Sequence, residues 1–387
     1  MRLLIAGGGT GGHIYPALAV ARSLRDPDAS AREQPQLSWL GGHRGLEGSL
    51  VASAGIPIRR LALRSLRTVD RDVHLVLDPA RLALSVPQAA AILARERPAA
   101  IFTTGGYVAI PTLLAAAPLR IPVVLWEGNV VPGRSVRVTA RLANVLAVSF
   151  EETCGALSDS GRPCFVTGTP IRDVRQVDRA AARARLNIPA DARLVLIFGG
   201  SQAVRRFNAA VAAALPRLVE GVHVIHVTGD DAYADALSGK QSLAADRRER
   251  YRPYPFLRDE MVPALAAADL VVGRAGSSTL AEVTALGLPM VVVPYPHAAG
   301  HQRANARILA DAGAARLVED EAFDAAALID AAAILDDPVQ NEAMSKAARG
   351  LGRPAAATAV AQLVLALAER RRLPERSAIE RRSRGVA

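Results

Sequence analysis

The sequence predicts an α/β protein of two Rossmann-like domains, each a parallel sheet flanked by helices. Three observations carry this. Short β-rich runs alternate with helical patterns, many of the runs end in glycine turns, and the series begins afresh after a polar, Arg/Asp-rich stretch that reaches Asp191. Ligand-binding loops lie at the carboxyl ends of strands in such sheets. The expected arrangement is two domains facing a cleft. Residues 1–167 and a closing helix near 353–369 form the first, residues 168–352 the second, and residues 370–387 a basic, disordered tail.

Composition narrows the function classes. A chain of 387 residues has room for about two to three domains, and 50% hydrophobic with 22% charged residues can bury sizeable cores. The formal net charge of +10 points to an anionic partner; residues 369–387, with seven arginines and three glutamates, hold +4 of it. Aromatics are 4% and do not interleave with basic residues, so single-stranded nucleic acid is a poor fit, and no nucleic-acid partner is expected. Cys154 and Cys164 form no metal pattern and no disulfide framework, which fits a reducing cytoplasm. The opening run before Gly7 is a first strand, too short for a signal peptide. No run approaches the ~18 apolar residues of a membrane span.

In the first half, residues 2–6 are a strand and residues 7–13 a glycine loop with His13 at its end. Pro16 then opens a helix with Ala17, Val20, Ala21 and Leu24 inward. Gly7-x-Gly9-x-x-Gly12 satisfies the dinucleotide fingerprint, but strand two (37–40) ends in Gly41-Gly42-His43 with no acid for a ribose, which disfavours a nicotinamide or flavin cofactor. His13 is a general-base candidate or a hydrogen-bonded loop histidine. Residues 59–81 are arginine-rich, with Leu75, Val76, Leu77, Leu82, Leu84 and Val86 following or interleaved: a peripheral contact for an anionic bilayer, or ordinary helix core. Asp70-x-Asp72 lacks a third ligand, so no metal site is expected. Further strands end at Thr104-Gly105-Gly106-Tyr107 and at Trp126-Glu127-Gly128-Asn129.

The second half restarts with a strand at 194–198 and Gly199-Gly200-Ser201-Gln202, and culminates in residues 269–305. There a strand breaks at Gly273-Arg274-Ala275-Gly276, three hydroxyls follow (Ser277, Ser278, Thr279), and a helix begins. Uncapped N–H groups and the positive end of a helix dipole make this a site for a phosphate or diphosphate. Glu282, one turn on, either accepts a pair of ribose hydroxyls or closes a capping box with Thr279.

These residues resemble a known family. GGGTGGHIYPALAVA (7–21), TTGGYVAIP (103–111), EGNVVPG (127–133), GTPIR (168–172), GGSQ (199–202), GRAGSSTLAE (273–282) and HQRANA (301–306) stand in the order of the MurG family, bacterial UDP-N-acetylglucosamine transferases that turn lipid I into lipid II. The resemblance covers about residues 1–350. It implies a glycosyltransferase-B fold, UDP-N-acetylglucosamine and undecaprenyl-linked lipid I as substrates, no cofactor and no metal, and a peripheral place on the cytoplasmic face of the cell membrane.

It also implies roles by position. Thr10, Gly11 and Gly12 line the donor sugar's side and His13 is the base or an acceptor-side group. Asn129 contacts N-acetylglucosamine. Arg172, Ser201 and the hydroxyls of Ser277, Ser278 and Thr279 approach the diphosphate. Main chain near Arg258 reads uracil, Glu282 the ribose and Gln302 the sugar hydroxyls, while the segment near Leu75 to Val86 matches the membrane-contacting patch. The chain departs from the family at Trp126 and Gly128 (often His and Gln), at Thr169 (often Asn) and at Ala203 (usually Gly). The implied reaction is inverting transfer to the C4 hydroxyl of the N-acetylmuramyl unit, with His13, Glu127 or a water left open as proton acceptor. The rivals are another UDP-sugar enzyme of the fold, including a UDP-N-acetylglucosamine 2-epimerase, and a non-enzymatic binder of anionic membranes.

Overall fold

The computed structural model describes residues 1–26, 34–43, 47–63, 74–174, 176–200, 205–298 and 300–386, and only the backbone of 74–80. The chain forms two compact units, Met1–Arg172 with Arg353–Ala387, and Asp173–Gly352.

The first unit holds a seven-stranded sheet: β1 (Arg2–Ala6), β2 (Gln36–Gly41), β3 (Ile58–Arg60), β4 (Ala100–Thr103), β5 (Val123–Glu127), β6 (Val145–Val148) and β7 (Cys164–Val166). Their order is β3-β2-β1-β4-β5-β6-β7, all parallel. Strand side chains alternate between faces, so Leu3 and Ile5 enter one core and Leu4 and Ala6 the other. Both faces are covered, which is why β1 reads as an unbroken apolar run. Each fully buried Leu or Ile contributes about 1.5–3 kcal/mol. The apolar helix Ala356–Ala368 is buried along most of its length and packs against helix Gly11–Arg25, which accounts for its composition.

The second unit repeats the plan in six parallel strands: β8 (Leu194–Phe198), β9 (His223–Val227), β10 (Tyr251–Tyr254), β11 (Leu270–Gly273), β12 (Met290–Val292) and β13 (Ala315–Leu317), ordered β10-β9-β8-β11-β12-β13. Leu194, Leu196 and Phe198 face one core, Val195 and Ile197 the other.

Four expectations need correction. Helix one starts at Gly11, not Pro16, so Gly11, Gly12 and His13 form its first turn and Pro16 sits inside it. The stretch before Asp191 is not a bare linker: Asp178 caps helix Arg179–Arg185, and buried Arg183 donates to the carbonyls of Pro189, Ala190 and Ala192 and pairs with Asp269 at 2.7 Å. Cys154 and Cys164 are joined by a disulfide, because the turn at 158–161 brings β7 back beside helix Glu151–Ala156. Residues 370–386 are not a disordered tail. Helix Arg376–Ser383 buries Ile379, and Ser383 accepts from the Ala355 N–H through its carbonyl at 2.9 Å and from Arg353 through its hydroxyl at 2.8 Å.

Candidate active site

In both sheets the strand order reverses direction beside the first strand of the unit, and loops diverge there at the carboxyl ends. In the first unit this switch point lies between β1 and β4. Thr10 is the extended N-cap of helix Gly11–Arg25 and supplies no side-chain cap. His13, half-buried, is the helix's third residue. Its Nδ1 lies 2.7 Å from the Thr104 carbonyl, and the Thr104 hydroxyl donates back to the His13 carbonyl at 3.0 Å. A carbonyl only accepts, so Nδ1 carries the proton and Nε2 is the basic nitrogen of the neutral ring. The ring lies over Gly106, whose φ of +71° would strain any residue with a side chain.

Two buried carboxylates shape the neighbouring loops. Glu127, at the end of β5, accepts the Asn129 N–H and side-chain amide at 2.9 Å each and the Gly133 N–H at 2.8 Å. The Thr153 hydroxyl donates to the Asn129 carbonyl at 2.9 Å. Glu127 is therefore committed to the Asn129 loop. Trp126, at a departure from the family, is core: its indole N–H donates to the Gly168 carbonyl at 3.1 Å. The second carboxylate is Glu47, which accepts from Gly9 N–H, Gly42 N–H and the Tyr107 hydroxyl, 3.2 Å each.

In the second unit, helix Ser277–Leu286 starts at Gly276 with no side-chain cap. Thr279 is the third helical residue, not the N-cap, so the capping-box reading of Thr279 and Glu282 fails and the half-buried Glu282 is left without that role. The Ser278 hydroxyl is buried with no hydrogen-bond partner. A buried orphan oxygen beside uncapped N–H groups suits an anion's oxygens. Arg274, in the same glycine turn, points away from it. Its guanidinium donates to the Val293 carbonyl at 3.2 Å, pairs with Asp320 and lies 4.8 Å from the Phe207 ring centroid. Asn305 holds the turn by donating to the Ala275 carbonyl at 3.2 Å.

The remaining expected residues are placed as follows. Gln302 accepts the Tyr295 N–H at 2.9 Å through Oε1, which orients its amide. Arg258 is exposed beyond β10, two residues after Phe256, a half-exposed aromatic that sequence reasoning passed over. Arg172 is half-buried at the end of the first unit's leading segment. Ser201, Gln202, Ala203, Asp70, Asp72 and the side chains of Leu75, Val76 and Leu77 lie outside the described residues. Leu84, on helix His74–Glu96, is 61% exposed, and the neighbouring helices Gly106–Ala116 and Arg134–Thr139 show exposed Leu114 and Val138 with Arg134 and Arg137.

Comparison with known proteins identifies the family and the fold. The glycosyltransferase family 28 N-terminal domain matches residues 3–148 and the family 28 C-terminal domain residues 194–362. The UDP-N-acetylglucosamine–N-acetylmuramyl-(pentapeptide) pyrophosphoryl-undecaprenol N-acetylglucosamine transferase of Desulforudis audaxviator is 38% identical over 379 residues, 95% of this chain and 99% of its own. The enzyme of the same name from Methylococcus capsulatus is 39% identical over 368 residues, 94% and 98% of the two chains. Among solved structures, MurG of Acinetobacter baumannii superposes with a TM-score of 0.74 at 28% identity, covering 94% of this chain and 99% of that one. A putative UDP-N-acetylglucosamine 2-epimerase of Listeria monocytogenes reaches 0.68 at 16% identity, covering 97% and 98%, a likeness of fold alone. The chain belongs to glycosyltransferase family 28 and, within it, to the MurG family of glycosyltransferase-B fold enzymes.

Proposed function

We propose that this chain transfers N-acetylglucosamine from UDP-N-acetylglucosamine to the C4 hydroxyl of the N-acetylmuramyl unit of lipid I, forming lipid II. The observation that carries the reading is 38% identity along 95% of the chain to a relative bearing that activity in its name.

The residues support an inverting displacement. Nε2 of His13 takes the proton from the C4 hydroxyl, the oxygen attacks the anomeric carbon, and the carbon–oxygen bond to the diphosphate breaks with UDP carrying away the electron pair. The helix start at Ser277, the orphan hydroxyl of Ser278, Thr279, Arg172 and Ser201 meet the growing charge, in place of a divalent ion. Glu282 takes the ribose hydroxyls, main chain at Arg258 reads the uracil edge and Phe256 covers its face. Asn129 and Gln302 hold the sugar, with Thr10, Gly11 and Gly12 beside it. Exposed Leu84, Leu114 and Val138 among arginines support a peripheral contact with an anionic bilayer, on the cytoplasmic face where UDP-sugars are found.

The test is transfer of label from UDP-N-acetylglucosamine to a short-chain lipid I analogue with EDTA present, against UDP-glucose and UDP-galactose. Donor-selective product that survives EDTA is expected. Tight donor binding without product would move the acceptor elsewhere, and a changed sugar nucleotide without acceptor would make the chain an epimerase. Product abolished by EDTA and restored by a divalent cation would overturn the metal-free mechanism.

A further inference from the structure

Among the described residues of the first unit, Glu47 is the most enclosed carboxylate, 1% exposed at the start of helix Glu47–Ser53. Its three donors follow three different strands. Gly9 N–H follows β1, Gly42 N–H follows β2, and the Tyr107 hydroxyl follows β4. A carboxylate buried without partners costs several kcal/mol, roughly the penalty that such donors offset. Each donor is thereby held to one anion.

The glycines around it leave room for that group. A Cβ on Gly8 would stand 2.8 Å from Glu47 Oε1, and one on Gly42 would stand 2.5 Å from the Tyr107 hydroxyl. A glycine loop after a first strand ordinarily offers its amides to a ligand's phosphate. Here the chain's own carboxylate takes the Gly9 amide, so the fingerprint serves an internal anion.

Gly9 leads directly into the helix that carries His13, and Tyr107 stands three residues after Thr104, whose carbonyl orients the His13 ring. We propose that Glu47 is a positioning residue for the acceptor half of the reaction, tying the glycine loop to the β4 loop so that His13 Nε2 is held toward the acceptor hydroxyl. It acts through His13 and touches no reacting atom. Burial first, then the Glu47 charge, raise the Tyr107 phenol above its ordinary value, which keeps its O–H a donor. The inference rests on the acceptor reading above.

The experiment pairs kinetics with an acceptor-free readout, using Glu47→Gln in the full chain. Glutamine keeps the volume, but its amide nitrogen cannot accept, so at least one donor loses its partner. The expected result is a kcat lower by about 10²-fold, the cost of a misplaced catalytic group, with the KM for UDP-N-acetylglucosamine within about twofold because the donor residues are untouched. The His13 imidazole, titrated by NMR without acceptor, should shift relative to wild type. Glu47→Ala supplied with formate should regain several-fold of its lost kcat. Unchanged kcat and unchanged His13 titration in Glu47→Gln would overturn the proposal, as would lost activity that tracks only lost folded protein. If a Glu47 variant does not fold, Tyr107→Phe, which removes one donor and keeps the carboxylate, must show the same two changes in smaller measure. A wild type that transfers nothing to lipid I would sink the acceptor reading instead, and the His13 titration would still judge Glu47.

Discussion

The two switch points share a strand order and a glycine-rich turn, yet they do opposite electrostatic work. Between β8 and β11 the turn keeps its N–H groups uncapped, buries an orphan hydroxyl at Ser278 and sends its one cation, Arg274, back into the core. Between β1 and β4 the loop is already filled by the Glu47 carboxylate, and the helix that follows presents an oriented imidazole. The first arrangement suits an anion; under the proposed reaction the second takes a proton. A glycine pattern therefore marks where a backbone is approached closely, and only the neighbouring side chains decide whether the visitor is a ligand or another part of the chain.

The largest effect that sharpens this contrast is loss of the imidazole. His13→Ala should lower kcat by about 10²–10⁴-fold with donor KM nearly unchanged, as expected for removal of a general base. Near-normal turnover at saturating lipid I and donor would return His13 to a loop-holding role.

Acid should separate the units as well. His226, on β9, is buried, donates to or accepts from the Tyr251 hydroxyl at 2.9 Å, and leaves Nε2 unpartnered. Burial pushes its imidazole down to about 3, well below the ordinary histidine value of about 6.5. Above the unfolded value both states are neutral and nothing is gained or lost. As pH falls below it, the unfolded chain binds a proton that the folded one refuses, so stability falls, by about 2 kcal/mol at pH 5. Urea midpoints of wild type and His226→Asn at pH 7 and pH 5 check this: the pH slope should flatten in the variant. Equal slopes would assign the acid sensitivity to other groups.

Much of the architecture was legible because each strand is a short apolar run closed by a glycine turn, and the donor loop because strand, turn, hydroxyls and helix lie within one continuous segment. What escaped was long-range. Glu47 draws its donors from Gly9 and Tyr107, 38 and 60 residues away, and no local spacing announces that. The helix start at Gly11 was hidden by Pro16, which marks a first turn in many helices but here stands inside one. The arginine-dense tail reads as solvated until Ile379 finds a core and Ser383 a partner. Cys154 and Cys164 meet through a turn whose geometry the sequence does not spell out.

A smaller effect tests the ribose side. Glu282→Ala should raise the donor KM by about 10-fold, about 1.4 kcal/mol and so near the lower end for a hydrogen bond to a charged group, with kcat changed little. Steady-state kinetics with varied UDP-N-acetylglucosamine measure it. A KM that does not move would leave Glu282 with neither a capping role nor a substrate role.

The smallest change discriminates by sign. If the Ser278 hydroxyl waits for a phosphate oxygen, Ser278→Ala removes an unpaired buried group from the free protein and a hydrogen bond from the complex. The free protein should then gain up to about 1 kcal/mol while UDP binding weakens by about 5-fold. Both shifts come from one atom and oppose each other, so a ligand-dependent thermal shift should shrink from both ends. A hydroxyl with a purely structural role gives another pattern, in which stability falls and the calorimetric Kd for UDP stays where it was. That outcome would remove Ser278 from the anion site and leave the helix N–H groups alone to hold the diphosphate.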